Sequence, residues 1–223
     1  MKEDKQIRGV VFDLDGLMFN TEDLYLQVGA EVLRRRGKPF TLELVDAMMG
    51  LRPPQAIGLM IDWHCLEATV EEIETESREI FAPLLDHDLE PMPGLMDLLE
   101  RLETANIPKA VATSSGRLFV DEVLGRFDLL ERFQFILTGE DVQHGKPNPE
   151  IYLLAADRFG LAIEELLVLE DSQTGTAAGV ASGAVVVAVP GKHSCHHDFT
   201  GAAFIAENLK DPRIYALLAP HSQ

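Results

Sequence analysis

Two carboxylates lie two positions apart at the end of the first apolar run of the chain. The run covers residues 7–12, and Asp13, Asp15 and Gly16 follow it. Its length and continuous apolar character predict a buried strand, on which residues two positions apart point the same way. Asp13 and Asp15 should therefore face one small volume beyond the strand, where open parallel sheets bind ligands. Carboxylates this close need a cation or a shared proton, and Mg²⁺ is the hard cation that also binds phosphate.

Polar side chains follow three later predicted strands in the same way. Hydroxyl groups follow the strand predicted at residues 109–112, a lysine lies on the loop after 133–137, and two acidic residues follow 166–169. The carboxyl ends of parallel strands lie on one edge of a sheet, so these groups should meet Asp13 and Asp15 there. They are Thr113, Ser114 and Ser115, then Lys146, and finally Glu170 and Asp171.

This combination of groups matches what phosphoryl transfer needs. One carboxylate can attack phosphorus, while a second protonates the leaving oxygen and then activates water. Hydroxyls and amides at a helix start bind phosphate oxygens, a lysine offsets the phosphate charge, and further carboxylates complete an octahedral Mg²⁺ site. Each group also has a structural interpretation, since Thr113 or Ser115 could only cap a helix and Lys146 could be an ordinary loop lysine.

The remaining pattern predicts an α/β fold. From residue 94 onward, amphipathic helices alternate with short apolar strands, which is typical of a doubly wound parallel sheet with right-handed crossovers. Between the first strand and residue 90 the pattern is helical throughout, which indicates a small inserted helical cap domain. We place the core at residues 1–17 and 91–223 and the cap at residues 18–90, with a hinge at each connection.

Composition limits the partners of this chain. It has 223 residues, of which 46% are hydrophobic, and a formal net charge of −18. This acidity disfavours nucleic acid and anionic membranes as partners, and no run approaches the roughly 20 apolar residues of a membrane span. Cys65 and Cys195 belong to no paired motif, which is typical of a reducing compartment. We expect a cytoplasmic protein, a monomer or weak homodimer, that acts on a small phosphorylated substrate.

Four segments of the chain resemble the four motifs of the haloacid dehalogenase (HAD) superfamily. They are residues 12–16, 113–115, 145–147 and 169–172, which read FDLDG, TSS, GKP and LEDS. The resemblance extends over nearly the whole chain and is greatest to the β-phosphoglucomutase-like phosphatases. It implies a HAD-like Rossmannoid core and a type 1 helical cap inserted after the first motif. The match is specific for the family and only weakly specific for a substrate.

The resemblance implies a role for each residue in these motifs. Asp13 would be the nucleophile that forms an aspartyl phosphate, and Asp15 would be the general acid and base, with its backbone carbonyl on Mg²⁺. Asp13 and Asp171 would be ligands of that ion, with Glu170 as a further ligand or in the outer shell. Lys146 would neutralise charge between the nucleophile and the phosphate.

Further positions would bind the substrate. The resemblance implies that Thr113 holds the transferring phosphoryl group, with help from Ser114, Ser115 and Gly16. The cap would exclude water and select the leaving group, and Arg52 is our candidate contact within it. A solvated surface charge is the alternative interpretation of Arg52.

These observations predict a Mg²⁺-dependent phosphatase of a small phosphorylated metabolite, with a sugar phosphate as the expected substrate. A phosphomutase and a non-enzymatic binding module are the alternatives. Tyr25 stands where β-phosphoglucomutases carry a histidine, which weighs against the mutase. Asn20 stands where the family often has an acidic residue near the first hinge. Dehalogenases lack the second aspartate of the first motif, so Asp15 favours phosphoryl transfer.

Overall fold

The computed structural model describes residues 6–48 and 53–219 of the chain. The chain divides into two compact units. We call Met1–Asn20 together with Pro91–Gln223 the core unit, and Thr21–Glu90 the helical unit. No helix among the described residues combines the length and the apolar character needed to cross a bilayer.

The chain leaves the core unit slightly later than we expected from the sequence. We expected the inserted segment to begin at Met18, but the boundary lies after Asn20. Phe19 forms a bridge with Pro91, and the amide of Met92 donates to the carbonyl of Met18 at 2.8 Å. These backbone contacts hold the residues after the first motif in the core unit.

Six strands of the described residues form one sheet, in which every neighbouring pair is parallel and the order is β3-β2-β1-β4-β5-β6. The register pairs Phe12 of the first strand with Val111 of the second and with Leu169 of the fourth. The segments that follow these three strands therefore leave the sheet at one level. The strands are β1 (Gly9–Phe12), β2 (Lys109–Ala112), β3 (Ile136–Leu137), β4 (Leu166–Glu170), β5 (Val185–Ala188) and β6 (Phe204–Ile205).

Helices lie between successive strands from β1 to β5, a loop without a helix leads from β5 to β6, and a separate set of helices builds the helical unit. The helical unit contains α1 (Thr21–Arg35), α2 (Leu42–Met48), α3 (Pro53–His64) and α4 (Val70–His87). The core unit contains α5 (Leu95–Thr104), α6 (Arg117–Gly125), α7 (Glu150–Phe159), α8 (Gln173–Ser182) and α9 (Pro212–Leu217), with 3-10 turns at Leu130–Arg132 and Ile163–Glu165.

The doubly wound α/β fold predicted from the sequence is confirmed, but its last elements were not predicted. The sequence pattern predicts no strand at β6 and no helix at α9, because two and six residues are too few to show a period. The strand expected over residues 133–137 is regular only at Ile136–Leu137. The 3-10 turn at Leu130–Arg132 precedes it and delays the start of regular pairing.

The core lies between the sheet and the helices that pack on it. One cluster joins Val11, Val168 and Val186 of the sheet to α7 and α8. Helix α8 approaches the sheet closely because Gly179 has no side chain, and an added Cβ would lie 2.7 Å from Cγ2 of Val186. Close packing of this kind holds the carboxyl end of β4 in a fixed place.

The helical unit has an apolar core of its own. Leu24, Val28 and Val32 follow the helical spacing along α1 and are all buried. Helix α4 begins with a capping box, in which the Thr69 hydroxyl accepts from the Glu72 amide and the Glu72 carboxylate accepts from the Thr69 amide. Such a cap fixes where the helix starts and leaves its apolar side free to pack on α1.

We expect Gly179→Val to destabilise the protein. The added side chain would overlap Val186, and overpacking of this kind costs about 1–3 kcal/mol. Gly58→Val is the matched control, because Gly58 also lies in a helix and an added Cβ there would meet no atom within 4 Å. The control should change the free energy of unfolding by less than about 0.5 kcal/mol. Urea unfolding followed by circular dichroism measures both values, and equal values would contradict the packing described above.

Candidate active site

The first two aspartates lie at the carboxyl end of β1, in the middle of the sheet. The amide of Asp13 donates to the carbonyl of Leu169 at 3.1 Å, so the chain is still paired with β4 at this residue. Gly16 then adopts φ of 74°, and its amide donates to the carbonyl of Phe19 at 3.0 Å. A positive φ favours glycine, which explains why the tight turn directly after Asp15 contains this residue.

Lys146 reaches the same edge from the loop that follows β3. Its side chain is 5% exposed, and its ammonium donates to Asp13 Oδ1 at 2.5 Å, Glu170 Oε1 at 2.6 Å and the carbonyl of Ala112 at 3.0 Å. An ammonium has three donors, so all of them are used. The interpretation of Lys146 as an ordinary loop lysine is therefore wrong, because residues far apart in sequence converge on it.

Glu170 ends β4 and is completely buried. Its Oε1 accepts from Lys146 and from the hydroxyl of Tyr152 at 2.7 Å, and its Oε2 accepts from the amide and hydroxyl of Ser172 at 3.2 and 2.9 Å. A Cβ at position 175 would collide with this carboxylate, so Gly175 makes the space that Glu170 occupies. The sequence alone predicts no role for Tyr152, Ser172 or Gly175, because nothing in the local pattern shows what these residues contact.

Three buried carboxylates form a group that could hold a metal ion. Asp13, Glu170 and Asp171 each offer one oxygen, and these oxygens lie within 4.8 Å of one another. Among the residues that the structure describes, no other set of acidic, histidine or cysteine side chains meets this condition. Oxygen donors of this kind suit a hard cation such as Mg²⁺. Asp15 is outside this group of side chains, and the expected contact of Asp15 with the ion is through its backbone carbonyl.

The charge of the site is unbalanced, because its acidic groups outnumber Lys146, the lysine that contacts them. Burial raises the pKa of Asp13 to about 8, Glu170 and Asp15 raise it as well, and Lys146 opposes the change. Burial alone would lower the pKa of Lys146, but the neighbouring Asp13 and Glu170 outweigh burial and hold that pKa well above its usual value. A divalent cation at the carboxylates would offset this excess of negative charge.

The hydroxyl groups after β2 turn towards Asp15. The Ser115 hydroxyl donates to Asp15 Oδ2 at 2.6 Å, and the Thr113 hydroxyl lies 3.4 Å from the same oxygen. The Thr113 hydroxyl also accepts from the amide of Ser115 at 3.0 Å. Ser114 is exposed beside them. These contacts connect the second predicted motif to the acid–base candidate of the first.

The interpretation of Thr113 and Ser115 as helix caps is not supported by the start of α6. The N-cap residue is Gly116, and no side chain of that residue is present to cap the helix. The carboxylate of Glu140 accepts from the amide of Arg117 at 3.0 Å instead. Glu140 therefore stabilises the positive end of α6, and the two hydroxyls contact Asp15.

The structure brings most of the predicted site residues to one edge of the sheet. The exceptions are the exposed Ser114, Gly16 in the adjacent turn, and Arg52, which lies outside the described residues. The residues that converge are Asp13, Asp15, Thr113, Ser115, Lys146, Glu170 and Asp171.

Replacing Asp13 should change how stability depends on pH. The pKa of Asp13 in the folded protein is about 8, above the value of about 3.9 for an unfolded aspartate. Its proton therefore stabilises the fold at low pH, and this stabilisation is lost as the pH rises towards 8. The free energy of unfolding of the metal-free parent should fall relative to that of Asp13→Asn between about pH 5 and about pH 8.5. Urea titrations with a chelator at both pH values measure it, and a pH-independent difference would contradict the raised pKa.

Curated relatives of the chain are named as phosphatases. The "Phosphorylated carbohydrates phosphatase" of Thermotoga maritima is 34% identical, over 79% of this chain and 82% of that protein. The "Probable pseudouridine-5'-phosphatase" of Drosophila melanogaster is 31% identical, over 93% of this chain and 92% of that protein. The chain thus spans most of the length of both relatives.

Solved structures share the fold. A Thermotoga maritima protein, described provisionally as a β-phosphoglucomutase, is 27% identical with a TM-score of 0.81, over 96% of this chain and all of that one. CbbY of Rhodobacter sphaeroides, crystallised with phosphate, is 25% identical with a TM-score of 0.79, over 92% of this chain and 96% of that one. The family model described as haloacid dehalogenase-like hydrolase matches residues 10–189. The chain belongs to the haloacid dehalogenase-like hydrolase family.

Proposed function

We propose that the protein is a Mg²⁺-dependent phosphatase that hydrolyses a small phosphorylated metabolite, with a sugar phosphate as the expected substrate. The observation that carries this proposal is the buried contact of Lys146 with Asp13 and Glu170, beside Asp171. In this proposal Asp13 is the nucleophile, Lys146 is the compensating cation, and the neighbouring carboxylates are the oxygen ligands of the metal ion. The relatives that are named as phosphatases support the same reaction class.

In the first step, the carboxylate of Asp13 attacks phosphorus and the bond to the ester oxygen breaks. Lys146, at 2.5 Å from Asp13 Oδ1, orients the carboxylate and offsets the negative charge of the arriving phosphate. When bound at the carboxylates, Mg²⁺ supplies positive charge that favours the ionised form of Asp13 and polarises the phosphoryl oxygens. The product of this step is an aspartyl phosphate and an alkoxide that needs a proton.

Asp15 provides that proton and later recovers one. In its acid form it protonates the leaving oxygen, and in its ionised form it takes a proton from the water that attacks the aspartyl phosphate. The bond between phosphorus and the Asp13 oxygen then breaks, which releases inorganic phosphate and regenerates the carboxylate. The hydroxyls of Ser115 and Thr113 hold the Asp15 carboxyl at 2.6 and 3.4 Å and are also our candidate donors to the phosphoryl oxygens.

Substrate selection is assigned in this proposal to the helical unit. Tyr25 of α1 stacks on Phe81 of α4, with ring centroids 4.9 Å apart and planes 14° apart. A phenol is a much weaker acid than an imidazolium, so Tyr25 does not supply the acid–base chemistry of the histidine that β-phosphoglucomutases carry there. We therefore propose hydrolysis as the reaction, and keep the phosphomutase as the alternative that the similarity to a β-phosphoglucomutase favours.

Asp13→Asn should abolish turnover because an amide cannot accept the phosphoryl group as a carboxylate does. We expect a loss of at least about a thousandfold in kcat, measured as inorganic phosphate released from a panel of sugar phosphates, nucleotides and phosphoglycolate. Asp157→Asn is the matched control, because Asp157 is an exposed acid on α7 of the same unit, and it should leave kcat unchanged. Chelation should stop phosphate release by the parent, and added Mg²⁺ should restore it.

The same panel separates the alternatives. An Asp13→Asn protein that still turns over would refute the mechanism. A hexose 1-phosphate that yields its 6-phosphate isomer instead of free phosphate would favour the phosphomutase. Absence of any conversion by the parent with Mg²⁺ would favour the binding module.

A further inference from the structure

Tyr152 is buried in the core, yet its hydroxyl belongs to the candidate site. It lies on α7, is fully buried, and is one of the largest side chains in the core. Its hydroxyl donates to Glu170 Oε1 at 2.7 Å. The ammonium of Lys146 lies over its ring, 5.1 Å from the ring centroid. One side chain thus contacts both the acidic and the basic member of the buried ion pair.

Glu170 is held by four donors, of which the Tyr152 hydroxyl is one. Each carboxylate oxygen accepts two of them, from Lys146 and Tyr152 on Oε1 and from the amide and hydroxyl of Ser172 on Oε2. A carboxylate has about four acceptor positions, so these four donors occupy all of them, which fits the outer-shell role that is one of the two implied for Glu170. Rotation of the carboxylate would break one or more of these bonds.

The position of Glu170 in turn determines where the ammonium of Lys146 points. Lys146 uses its three donors on Asp13, Glu170 and the carbonyl of Ala112. The Ala112 carbonyl is fixed by the sheet, whereas Glu170 is a side chain that must itself be held. Contacts therefore run from Tyr152 through Glu170 and Lys146 to Asp13.

A role in core packing alone does not require the hydroxyl of Tyr152. Any buried hydroxyl needs a partner, and Glu170 would satisfy that need. A phenylalanine would then fill the same space without a polar group to satisfy. Yet Gly175 on α8 also leaves room for the same carboxylate, since a Cβ there would collide with it. Residues from α7, from α8 and from the turn between β4 and α8 thus all define one place for Glu170.

We propose that Tyr152 is a positioning residue of the active site, whose hydroxyl fixes Glu170 and, through it, the ammonium of Lys146 against Asp13. The proposal rests on the function proposed above. Tyr152 does not touch the reacting atoms, and its hydroxyl acts through Glu170. The site thus includes a residue of α7, a helix that packs on the sheet.

Tyr152→Phe tests the proposal, with Tyr215→Phe as the matched control. The chain has three tyrosines, and Tyr215 lies on α9, in the same unit but on a different element. We expect Tyr152→Phe to lower kcat by about tenfold or more and to change KM by less than about threefold. The replacement of a residue that orients a metal-site side chain typically lowers metal affinity or activity by about 10–100-fold. Tyr215→Phe should leave both constants unchanged.

A second measurement uses neither substrate nor metal. In nitrogen-15 spectra of the metal-free protein, the ammonium of Lys146 should give a slowly exchanging signal, assigned by its loss in Lys146→Arg. Tyr152→Phe should accelerate exchange of this signal with water, and Tyr215→Phe should not. Phosphate release by the parent tests the proposed function separately. If the parent releases no phosphate, the exchange rate of the Lys146 signal alone tests the role of Tyr152.

The outcomes that overturn the proposal are specific. An unchanged kcat and an unchanged Lys146 signal in a folded Tyr152→Phe protein would make Tyr152 a core residue only, even if its melting temperature fell. If adding Tyr152→Phe to Glu170→Ala lowered kcat by the same factor as Tyr152→Phe does in the parent, Tyr152 would act independently of Glu170. If Tyr152→Phe does not fold, Glu170→Ala alone decides, since an unchanged Lys146 signal there would refute the same chain of contacts.

Discussion

The site depends on one buried cation held between two buried carboxylates. Lys146 contacts Asp13 and Glu170, and without it these carboxylates would lie together in a medium that screens their repulsion poorly. The lysine does not balance the site completely, since the pKa of Asp13 stays raised to about 8 with Asp15 also nearby. This excess of negative charge is the physical reason why we propose a divalent cation there.

The sheet fixes the positions of these two carboxylates relative to each other. Strand β1 lies between β2 and β4, and the chain fills one side of the sheet with β2 and β3 before it crosses to β4, β5 and β6. The strand order therefore reverses its direction beside β1, and crevices at such a switch point are where open α/β sheets bind ligands. The Phe12–Leu169 register places Asp13 and Glu170 at one level. A shift by one residue would turn one carboxylate to the opposite face.

The sequence predicted the members of this site better than it predicted their contacts. The position of Asp13 and Asp15 directly after a short apolar strand was enough to predict both at one edge of the sheet, because side-chain direction alternates along an extended chain. Thr113 and Ser115 allowed two interpretations, a helix cap or a site hydroxyl, since either role uses the same residue types. The tertiary structure shows that Glu140, on the loop after β3, accepts from the amide of Arg117 at the start of α6. The two hydroxyls are therefore not needed as caps.

Apart from β6 and α9, the order of strands and helices follows from local pattern, because the periodicity of apolar residues can be read from the sequence. The edge on which the polar groups gather follows from that order, since parallel strands end on one side of the sheet. The role of Tyr152 is different, since an aromatic residue on an amphipathic helix has the pattern of any core residue. What it touches depends on how α7 packs against the sheet and on the space that Gly175 leaves for Glu170. Tertiary packing alone decided those contacts, because they join segments that have no local signal for one another.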